Sequence, residues 1–322
     1  MVPWLAALAC SNDPSAAATP PADPVPAAAP SRPTAPPPEA PARVGGAPGP
    51  DTILALGDLH ADLDNALSAM KMLGVIDDAG HWAAGEATFV QTGDLTDRGP
   101  DSGPLIDLMQ RLVPEAKAAG GEVVALLGNH EVMNLQGDLR YVHPGDYATY
   151  GGEAARAAAL GPSGDDGRFL RSLDTVAVVD GVAFVHGGVH PEVAKLGIET
   201  INDAVRSGID TSPTPPLGAE GPLWYRGYVL SPESEACPLL EGALAALGAT
   251  RMVVGHTTRR TGKVESRCGG RLSVIDIGIA DHYGAHLGGW RSDAGDARAI
   301  YPSGAIDLPD PPSSLPGAAG PG

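Results

Sequence analysis

The sequence predicts an α/β fold built as a two-sheet sandwich. In the first half of the chain, short and partly β-branched apolar runs alternate with segments that are apolar at helical spacing, as expected of buried parallel strands joined by helices. In the second half, apolar segments alternate around turn residues, which is typical of β-hairpins. A chain of 322 residues with 43% hydrophobic content should form one folded domain plus appendages.

Three strands are expected in the first half, at residues 52–56, 87–90 and 122–127. Two helices should cross between them. Residues 63–73 carry a helical pattern that stops at Gly74, and residues 102–119 carry one that stops at Gly120.

The second half has a different pattern. Residues 175–185 and 264–279 alternate around glycine-containing turns and predict hairpins. A Leu- and Ala-rich helix is expected at 236–247, leading into a strand before His256. Two further segments, 141–171 and 198–230, are predicted to be insertions that shape a pocket rim.

Each of the first three strands is followed by glycine and then polar side chains. The motifs are Gly57-Asp58-Leu59-His60, Gly93-Asp94-Leu95-Thr96-Asp97-Arg98-Gly99 and Gly128-Asn129-His130-Glu131. In open α/β sheets ligands bind at the carboxyl ends of strands, and glycine lets the chain turn there. His186 and His256 also follow apolar, strand-like runs directly. Five strand ends therefore direct polar side chains toward one place.

The side chains in these motifs are carboxylates, imidazoles and an amide. This mixture suits manganese, iron or zinc, whereas a magnesium or calcium site would be nearly all oxygen. No thiolate belongs to the set, which argues against a structural zinc. A single Gly-Asp motif would more often be a turn than a metal site, but five motifs in order make coincidence very unusual.

This ordered series resembles the phosphoprotein phosphatase branch of the calcineurin-like metallophosphoesterases, from about residue 51 to about residue 289. The stretches at 134–142, 221–227, 268–271 and 276–278 are similar to the bacterial-type Shewanella-like protein phosphatases. One departure is Ala61, where that family usually has glycine. The resemblance implies a two-sheet α/β/β/α sandwich, a single catalytic domain and a metal-dependent protein phosphatase.

The resemblance also implies two divalent metal ions. They are expected to be manganese, iron or zinc, and manganese is the ion expected to support activity in vitro. One ion would be held by Asp58, His60 and Asp94, and the other by Asp94, Asn129, His186 and His256. Two ions that share a hydroxide can direct it in line at a phosphoryl group, without a covalent intermediate.

Further roles follow from the same resemblance. His130 would protonate the leaving oxygen and Asp97 would orient its ring. Arg98 would bind two phosphate oxygens, because its planar guanidinium fits them as Lys cannot. The alternative for Arg98 is a structural ion pair with a neighbouring aspartate.

Two more residues are placed near the substrate by the resemblance. Arg226 would be the second phosphate-binding arginine, although Arg140 and Arg206 lie in the right part of the chain as well. Tyr283 would belong to a loop over the site, with plain packing as its alternative. The other five histidines are expected to be surface or packing residues, with His143 and His190 closest to interest.

The formal net charge is −18, with no cluster of Lys and Arg. Nucleic acid is therefore not an expected partner, because phosphate backbones are bound through basic surface. A phosphate group would be attracted locally, by the metals and Arg98. No pattern indicates an oligomeric state.

Three functions remain open. The leading one is dephosphorylation of a phosphorylated protein or peptide, with the resemblance favouring phosphotyrosine. The enzymatic alternative is hydrolysis of dinucleoside polyphosphates or other small phosphoesters, although only 3 Phe, 4 Trp and 7 Tyr are available to stack a base. A non-catalytic phospho-binding module is the third, and it normally requires a lost ligand or acid.

The ends of the chain differ in composition from the middle. Residues 1–10 end in Leu8-Ala9-Cys10, which resembles a bacterial lipoprotein cleavage site, although Ala7 replaces the usual Leu and no basic residue precedes the apolar run. Residues 11–50 are an Ala- and Pro-rich tether. The catalytic domain is predicted at 51–290, and a Pro- and Gly-rich, mostly disordered tail at 291–322.

We therefore expect an exported, periplasmic or membrane-tethered protein, with a cytoplasmic location as the alternative. If Cys10 is lipidated, Cys237 and Cys268 remain as a pair, and an exported compartment permits a disulfide between them. The alternative is two separate thiols.

The lipoprotein interpretation predicts that Cys10→Ser moves the protein from the membrane fraction to the soluble fraction, because the lipid attachment site is lost. Fractionation of cells that express either form, followed by immunoblotting, measures this. Cys237→Ser serves as the control and should leave the distribution unchanged. An unaltered distribution of the Cys10→Ser protein would refute the anchor.

Overall fold

A computed structural model describes residues 47–211 and 218–312. The predicted signal at 1–10 and most of the predicted tether therefore lie outside the described residues. The strands are β1 (Thr52–Leu56), β2 (Thr88–Gln91), β3 (Glu122–Ala125), β4 (Val176–Val179), β5 (Val182–Val185), β6 (Arg251–Val254), β7 (Glu265–Arg267), β8 (Leu272–Val274), β9 (Gly289–Asp293), β10 (Asp296–Tyr301) and β11 (Gly304–Asp307).

The helices cluster between these strands. They are α1 (Leu63–Leu73), α2 (Ser102–Ala118), α3 (Asn129–Leu135), α4 (Pro144–Thr149), α5 (Glu153–Leu160), α6 (Asp165–Ser172), α7 (Pro191–Ala194), α8 (Ile198–Ile209), α9 (Gly227–Leu230) and α10 (Glu233–Leu247). Short 3-10 turns occupy Cys268–Gly270 and Asp281–Tyr283.

The strands form two sheets. The first has the order β11-β10-β9-β1-β2-β3, in which β1, β2 and β3 are parallel and β9, β10 and β11 are antiparallel to their neighbours. The second has the order β4-β5-β6-β8-β7, with β5, β6 and β8 parallel. The parallel strands β1, β2, β5, β6 and β8 lie in the interior of their sheets, whereas β3 forms the edge of the first sheet.

Alternation along the strands divides the core into three layers. In β1, Ile53 faces the second sheet while Leu54 packs against the layer formed by α1 and α2. In β5, Phe184 faces the first sheet while Val185 packs against the layer that contains α10. The layer between the sheets includes an edge-to-face contact of Phe184 with Trp290, whose ring centroids lie 5.7 Å apart. The predicted α/β/β/α sandwich is confirmed.

The local predictions agree with the structure to within a few residues. β1 and α1 have the predicted bounds, and the first hairpin turns at Asp180 and Gly181, both with positive φ. The helix predicted at 236–247 begins earlier, at Glu233, because Glu233 and Glu235 favour the positive end of the helix dipole. The two predicted insertions fold into the short helices α4 to α6, α8 and α9.

The predicted domain boundary at residue 290 is wrong. Residues 289–307 form β9, β10 and β11, and they extend the first sheet beyond β1. Trp290 and Ala297 enter the layer between the sheets and are almost fully buried. Pro302 lies in the turn between β10 and β11 and does not begin a tail. Residues 313–322 lie outside the described residues.

The predicted bridge between Cys237 and Cys268 is confirmed. It joins α10 to the 3-10 turn before β8, across a sequence separation of 31 residues. Within the described ranges, we find no helix that combines the length and apolar character needed to cross a bilayer.

The strand pairing of β9 predicts that a chain ending at residue 290 will not fold. It would lose most of β9 and all of β10 and β11, and Trp290 would lose its covering strand. Circular dichroism melting should show no cooperative transition for this chain, and one close to that of the full chain for a chain ending at residue 312. Cooperative melting of the shorter chain would contradict the revised boundary.

The bridge predicts a loss of about 3 kcal/mol in the free energy of unfolding for the double variant Cys237→Ala, Cys268→Ala, because the unfolded chain regains the entropy of an open loop. Urea unfolding of both proteins without reductant measures the difference. With reductant the two curves should move together, and a difference well below about 1 kcal/mol would contradict the expectation.

Candidate metal centre

The polar motifs occupy the turns at the carboxyl ends of five parallel strands. Those that follow β1, β2 and β3 come from the first sheet, and those that follow β5 and β6 come from the second. Non-glycine residues with positive φ are concentrated here, with φ between 45° and 71°. They are His60, Ala61, Asp94, Asp97, Arg98 and His256. Such conformations cost energy and persist only where the surroundings hold them.

Close approach of the turns depends on glycine. A Cβ atom on Gly93 would lie 2.4 Å from the backbone nitrogen of Gly128, and one on Gly255 would lie 2.3 Å from Oδ1 of Asp58. A side chain at either position would therefore push two of the five turns apart.

Asp94 lies at the centre of the buried cluster. Its Oδ2 is 3.6 Å from Nε2 of His60 and 3.9 Å from Nε2 of His130, while its Oδ1 is 3.3 Å from Nε2 of His186. Two sets of three metal-ligand atoms, each within 4.8 Å of one another, share this carboxylate. They are Asp94 with His60 and His130, and Asp94 with His186 and His256. The Asp94 carboxylate is therefore common to both sets.

Backbone carbonyls hold two of the rings. Nδ1 of His60 lies 3.2 Å from the carbonyl of Thr96, and Nδ1 of His186 lies 2.9 Å from that of Thr92. Nδ1 must donate to a carbonyl, so Nε2 offers its lone pair toward Asp94 in both rings. Such contacts to the second ring nitrogen are the usual support of histidine ligands to metals.

The remaining predicted ligands join the same cluster. Oδ1 of Asn129 lies 2.9 Å from Nε2 of His186, and the backbone N–H of His256 donates to both carboxylate oxygens of Asp58 at 3.1 Å. Nε2 of His256 is buried and has no hydrogen-bond partner among the described residues. Lone pairs that face one another without donors between them fit a cation, so the donor set is suited to divalent metal ions.

The electrostatics of the cluster agree with that conclusion. Burial, together with the negative charges of Asp276 and Asp94, raises the pKa of Asp58 well above its usual range. Burial lowers the pKa of His60 to about 3, and burial beside His186 and Arg226 lowers the pKa of His256 well below its ordinary value. The imidazoles of His60 and His256 are therefore neutral, and the Asp58 carboxylate lacks a compensating positive charge.

His130 and Asp97 form a buried pair beside the cluster. Nδ1 of His130 lies 2.6 Å from Oδ2 of Asp97, and Nε2 faces Asp94. Burial alone lowers the pKa of His130, but the charges of Asp94 and Asp97 outweigh it and raise that pKa. The pair has the geometry of an oriented proton donor.

Arg98 lies over an aromatic ring at the edge of the cluster. Its guanidinium carbon is 4.0 Å from the ring centroid of Tyr141, and Tyr141 contacts His130 with ring centroids 5.2 Å apart. Nε of Arg98 is buried and unpaired, and no ion pair to Arg98 is found among the described residues. The alternative of a structural ion pair therefore has no support.

Of the three other arginines considered for phosphate binding, one lies at the site and two form ion pairs. Arg226 lies at the site, where Nη1 donates to the carbonyl of His256 at 2.7 Å and to Oγ1 of Thr257 at 3.2 Å. Arg140 pairs with Asp138, and Arg206 pairs with Asp174 and Asp203 on the surface.

Three other predicted positions can be placed. The ring of Tyr283 lies 4.9 Å from that of His60, and burial raises the Tyr283 pKa to about 12. His143 and His190 cap the short helices α4 and α7 by accepting from backbone N–H groups. They belong to helix ends and not to the cluster.

Sequence reasoning missed several residues that support the site. Glu131 lies in the third motif, and its carboxylate accepts from the backbone N–H groups of Asp94, Thr96 and Gly128 at 2.7–2.9 Å. Asp276 is buried beside Asp58. The position of Glu131 three residues after Gly128, at the start of a helix, was a signal for a capping box. Asp276 opens the stretch at 276–278 that carries the family resemblance, but no role at the site was predicted for it.

A cavity of about 740 Å³ opens directly beside the cluster. Its lining includes Asn129, Tyr141, whose ring contacts that of His130, and Trp224, whose ring centroid is 5.8 Å from that of His256. Met133 and Ile209 add apolar surface. The cavity is large enough for more than a phosphate group.

Comparison with known proteins agrees with this geometry. The profile of the calcineurin-like phosphoesterase family matches residues 51–259. The chain belongs to this family. An uncharacterized protein of Schizosaccharomyces pombe is 40% identical over 78% of this chain and 80% of its own length. Shewanella-like protein phosphatase 2 of Arabidopsis thaliana is 32% identical over 72% of each chain.

A solved structure extends the likeness to the fold. The protein-tyrosine phosphatase of a psychrophilic Shewanella species superposes with a TM-score of 0.72 over 83% of each chain, at 29% identity. The predicted resemblance to calcineurin-like phosphoesterases and Shewanella-like protein phosphatases is thus confirmed. The chain is a phosphatase, a hydrolase of phosphoric monoesters, and the family implies divalent metal ions.

The contacts of Glu131 predict that Glu131→Gln lowers the free energy of unfolding by about 2–4 kcal/mol, because an amide nitrogen would face buried N–H donors that then lose their acceptor. Urea unfolding measures the change. Glu122→Gln, at an exposed position on β3, is the matched control and should be neutral. Equal stability of the two variants would contradict the role of Glu131.

Proposed function

We propose that the chain removes phosphate from phosphorylated proteins, with phosphotyrosine preferred, by direct attack of water with the help of two divalent metal ions. The observation that carries this proposal is the buried carboxylate of Asp94, whose Oδ2 faces His60 and whose Oδ1 faces His186, so that two donor sets meet there. Two sets that meet at one carboxylate are expected where two ions lie side by side.

The proposed ligands are those of the motifs. Asp58, His60 and Asp94 would hold one ion, and Asp94, Asn129, His186 and His256 the other. Such ions, when bound, lower the pKa of water that acts as the nucleophile and polarise the phosphoryl group. The mixed carboxylate, imidazole and amide set supports manganese, iron or zinc, and manganese is proposed for assays in vitro.

The protein's own groups would act on the substrate. Arg98, which lies over the ring of Tyr141 and has no ion pair among the described residues, would bind two phosphate oxygens. As the bond from phosphorus to the leaving oxygen breaks, the proton on Nε2 of His130 would move to that oxygen, while Asp97 holds Nδ1. Arg226 and Tyr283, at opposite edges of the cluster, would limit where the phosphate lies.

Two observations support a phosphotyrosyl protein as substrate. The solved structures that share this fold include a protein-tyrosine phosphatase. The cavity beside Asn129 is lined by two aromatic residues, Tyr141 and Trp224, and its volume of about 740 Å³ offers room for a phenyl ring and neighbouring residues. The same two rings could stack a base, so hydrolysis of a dinucleoside polyphosphate is the second candidate.

A location outside the cytoplasm is proposed together with this activity. A disulfide between Cys237 and Cys268 supports an oxidising compartment. Membrane attachment through a lipidated Cys10 is the corresponding proposal for the residues outside the described ranges. The acidic net charge of −18 supports a protein partner over nucleic acid.

The test uses protein stripped of metal and reloaded with Mn²⁺, with matched phosphotyrosyl, phosphoseryl and phosphothreonyl peptides and a dinucleoside polyphosphate. We expect metal-dependent phosphate release that is fastest from the tyrosyl peptide, because its ring fits the cavity. Asp94→Asn should lower activity at least about 100-fold, since loss of even an outer-shell partner of a metal site costs up to that much. Asp77→Asn, on the surface, is the matched control.

Other outcomes separate the parts of the proposal. Cleavage of the dinucleotide alone would keep the metal chemistry and overturn the protein substrate. Mn²⁺ should also raise the melting temperature of the wild type but not of Asp94→Asn, because an ion that binds only the folded state stabilises it. Absence of both effects with manganese, iron and zinc would overturn the proposed two-metal mechanism.

A further inference from the structure

A buried network of hydrogen bonds continues from the pair of His130 and Asp97 into the segment at 141–171. Oδ2 of Asp97 contacts His130, and Oδ1 of Asp97 accepts from Nδ2 of Asn134 at 2.9 Å. The same amide nitrogen donates to the carbonyl of His130, also at 2.9 Å. One side chain therefore anchors both the carboxylate and the helical turn that carries the imidazole.

The orientation of the Asn134 amide is fixed by its partners. Its Oδ1 accepts from Nη2 of Arg156 at 2.7 Å. Arginine has only donors and the Asp97 carboxylate has only acceptors, so a flipped amide would face like groups at both ends. Arg156 thus determines which face of Asn134 meets Asp97.

Arg156 is itself rigidly held. It is 2% exposed, and its Nε donates to Oδ2 of Asp146 at 2.6 Å. The other oxygen of Asp146 accepts from the backbone N–H of Ser102, the first residue of α2. The hydrogen-bond network therefore runs from α2 through α4 and α5 to α3, and all the side chains in it are buried.

The backbone conformation at Asp97 gives this hydrogen-bond network a function beyond packing. Asp97 has φ of 70°, and Arg98, which follows, has φ of 71°. Such backbone conformations persist only where the surroundings hold them, and both oxygens of the Asp97 carboxylate have partners. One is held by His130, which must stay free to move a proton, so Asn134 supplies the fixed support.

We infer that Asn134 and Arg156 are positioning residues that hold Asp97, and through it His130, for proton transfer to the leaving oxygen. This inference rests on the proposed role of His130 as proton donor. If the hydrogen-bond network had a purely structural role, its loss would lower the stability of the protein and would slow the hydrolysis of all substrates by the same factor. Loss of positioning would slow only those substrates whose leaving group needs the proton.

The experiment compares kcat for phenyl phosphate, whose leaving group needs protonation, with kcat for p-nitrophenyl phosphate, whose leaving group departs as a stable anion. The variants are Asn134→Ser, which leaves the ion pair of Arg156 and Asp146 intact, and Arg156→Lys. We expect a loss of about 10-fold or more for phenyl phosphate, part of the 10²- to 10⁴-fold that a general acid contributes, and less than about 3-fold for p-nitrophenyl phosphate.

Two controls complete the design. Arg171→Lys changes an arginine on α6 that pairs with Asp210 and makes none of the hydrogen bonds of this network. It should therefore leave kcat for both substrates unchanged. His130→Asn defines the full leaving-group effect. The rise in melting temperature caused by Mn²⁺ should be the same in Asn134→Ser and Arg156→Lys as in the wild type, which shows that the metal centre is intact.

The outcomes distinguish this inference from the proposed function. Equal losses for both substrates in Asn134→Ser and Arg156→Lys, alongside a strong leaving-group effect in His130→Asn, would overturn the inference and leave His130 as the acid. Equal losses in His130→Asn itself would show that His130 is not the acid, and the inference would fail with it. Selective loss with phenyl phosphate in all three variants supports it.

Discussion

The carboxylate of Glu131 is the contact on which the polar centre depends. It accepts hydrogen bonds from backbone N–H groups in the turn after β2 and in the turn after β3. A single side chain therefore holds two of the five converging turns. Asp94, which has a left-handed backbone, presents its side chain to both donor sets only while its N–H is held in this way. The hydrogen bonds of Glu131 thus hold the strained turns, and Nε2 of His256 remains without a hydrogen-bond partner among the described residues.

Much of the fold was predictable because its physical basis is local. The strands β1 to β3 are short apolar runs, and the helices between them end at glycine in the left-handed region or beside a glycine pair. The strands β9 to β11 were missed because their inward-facing residues include small ones such as Ala297 and Ala299, which carry little hydrophobic signal. Composition alone, with Pro302 and Gly304 nearby, suggested a tail, whereas these residues form a hairpin turn.

The centre was predictable for a related reason. Its proposed ligands follow strand ends directly, so that topology alone brings them together. The support around them was not predictable, because it depends on contacts distant in sequence. Asn134 meets Asp97 across 37 residues, and Arg156 meets Asn134 across 22. No periodicity marks Asp146 or Arg156 as buried, since a charged side chain on a short helix is usually exposed.

The origin of the ligands in both sheets has a mechanical consequence. The distance between the turns after β1 to β3 and those after β5 and β6 is set by the thickness of the layer between the sheets, where Phe184 meets Trp290. That apolar layer acts as a spacer for the polar cluster at its end. A side chain there that is one methylene larger or smaller would change the spacing of Asp58 and His256 without touching either, so that packing deep in the sandwich tunes the fit of ions at its rim.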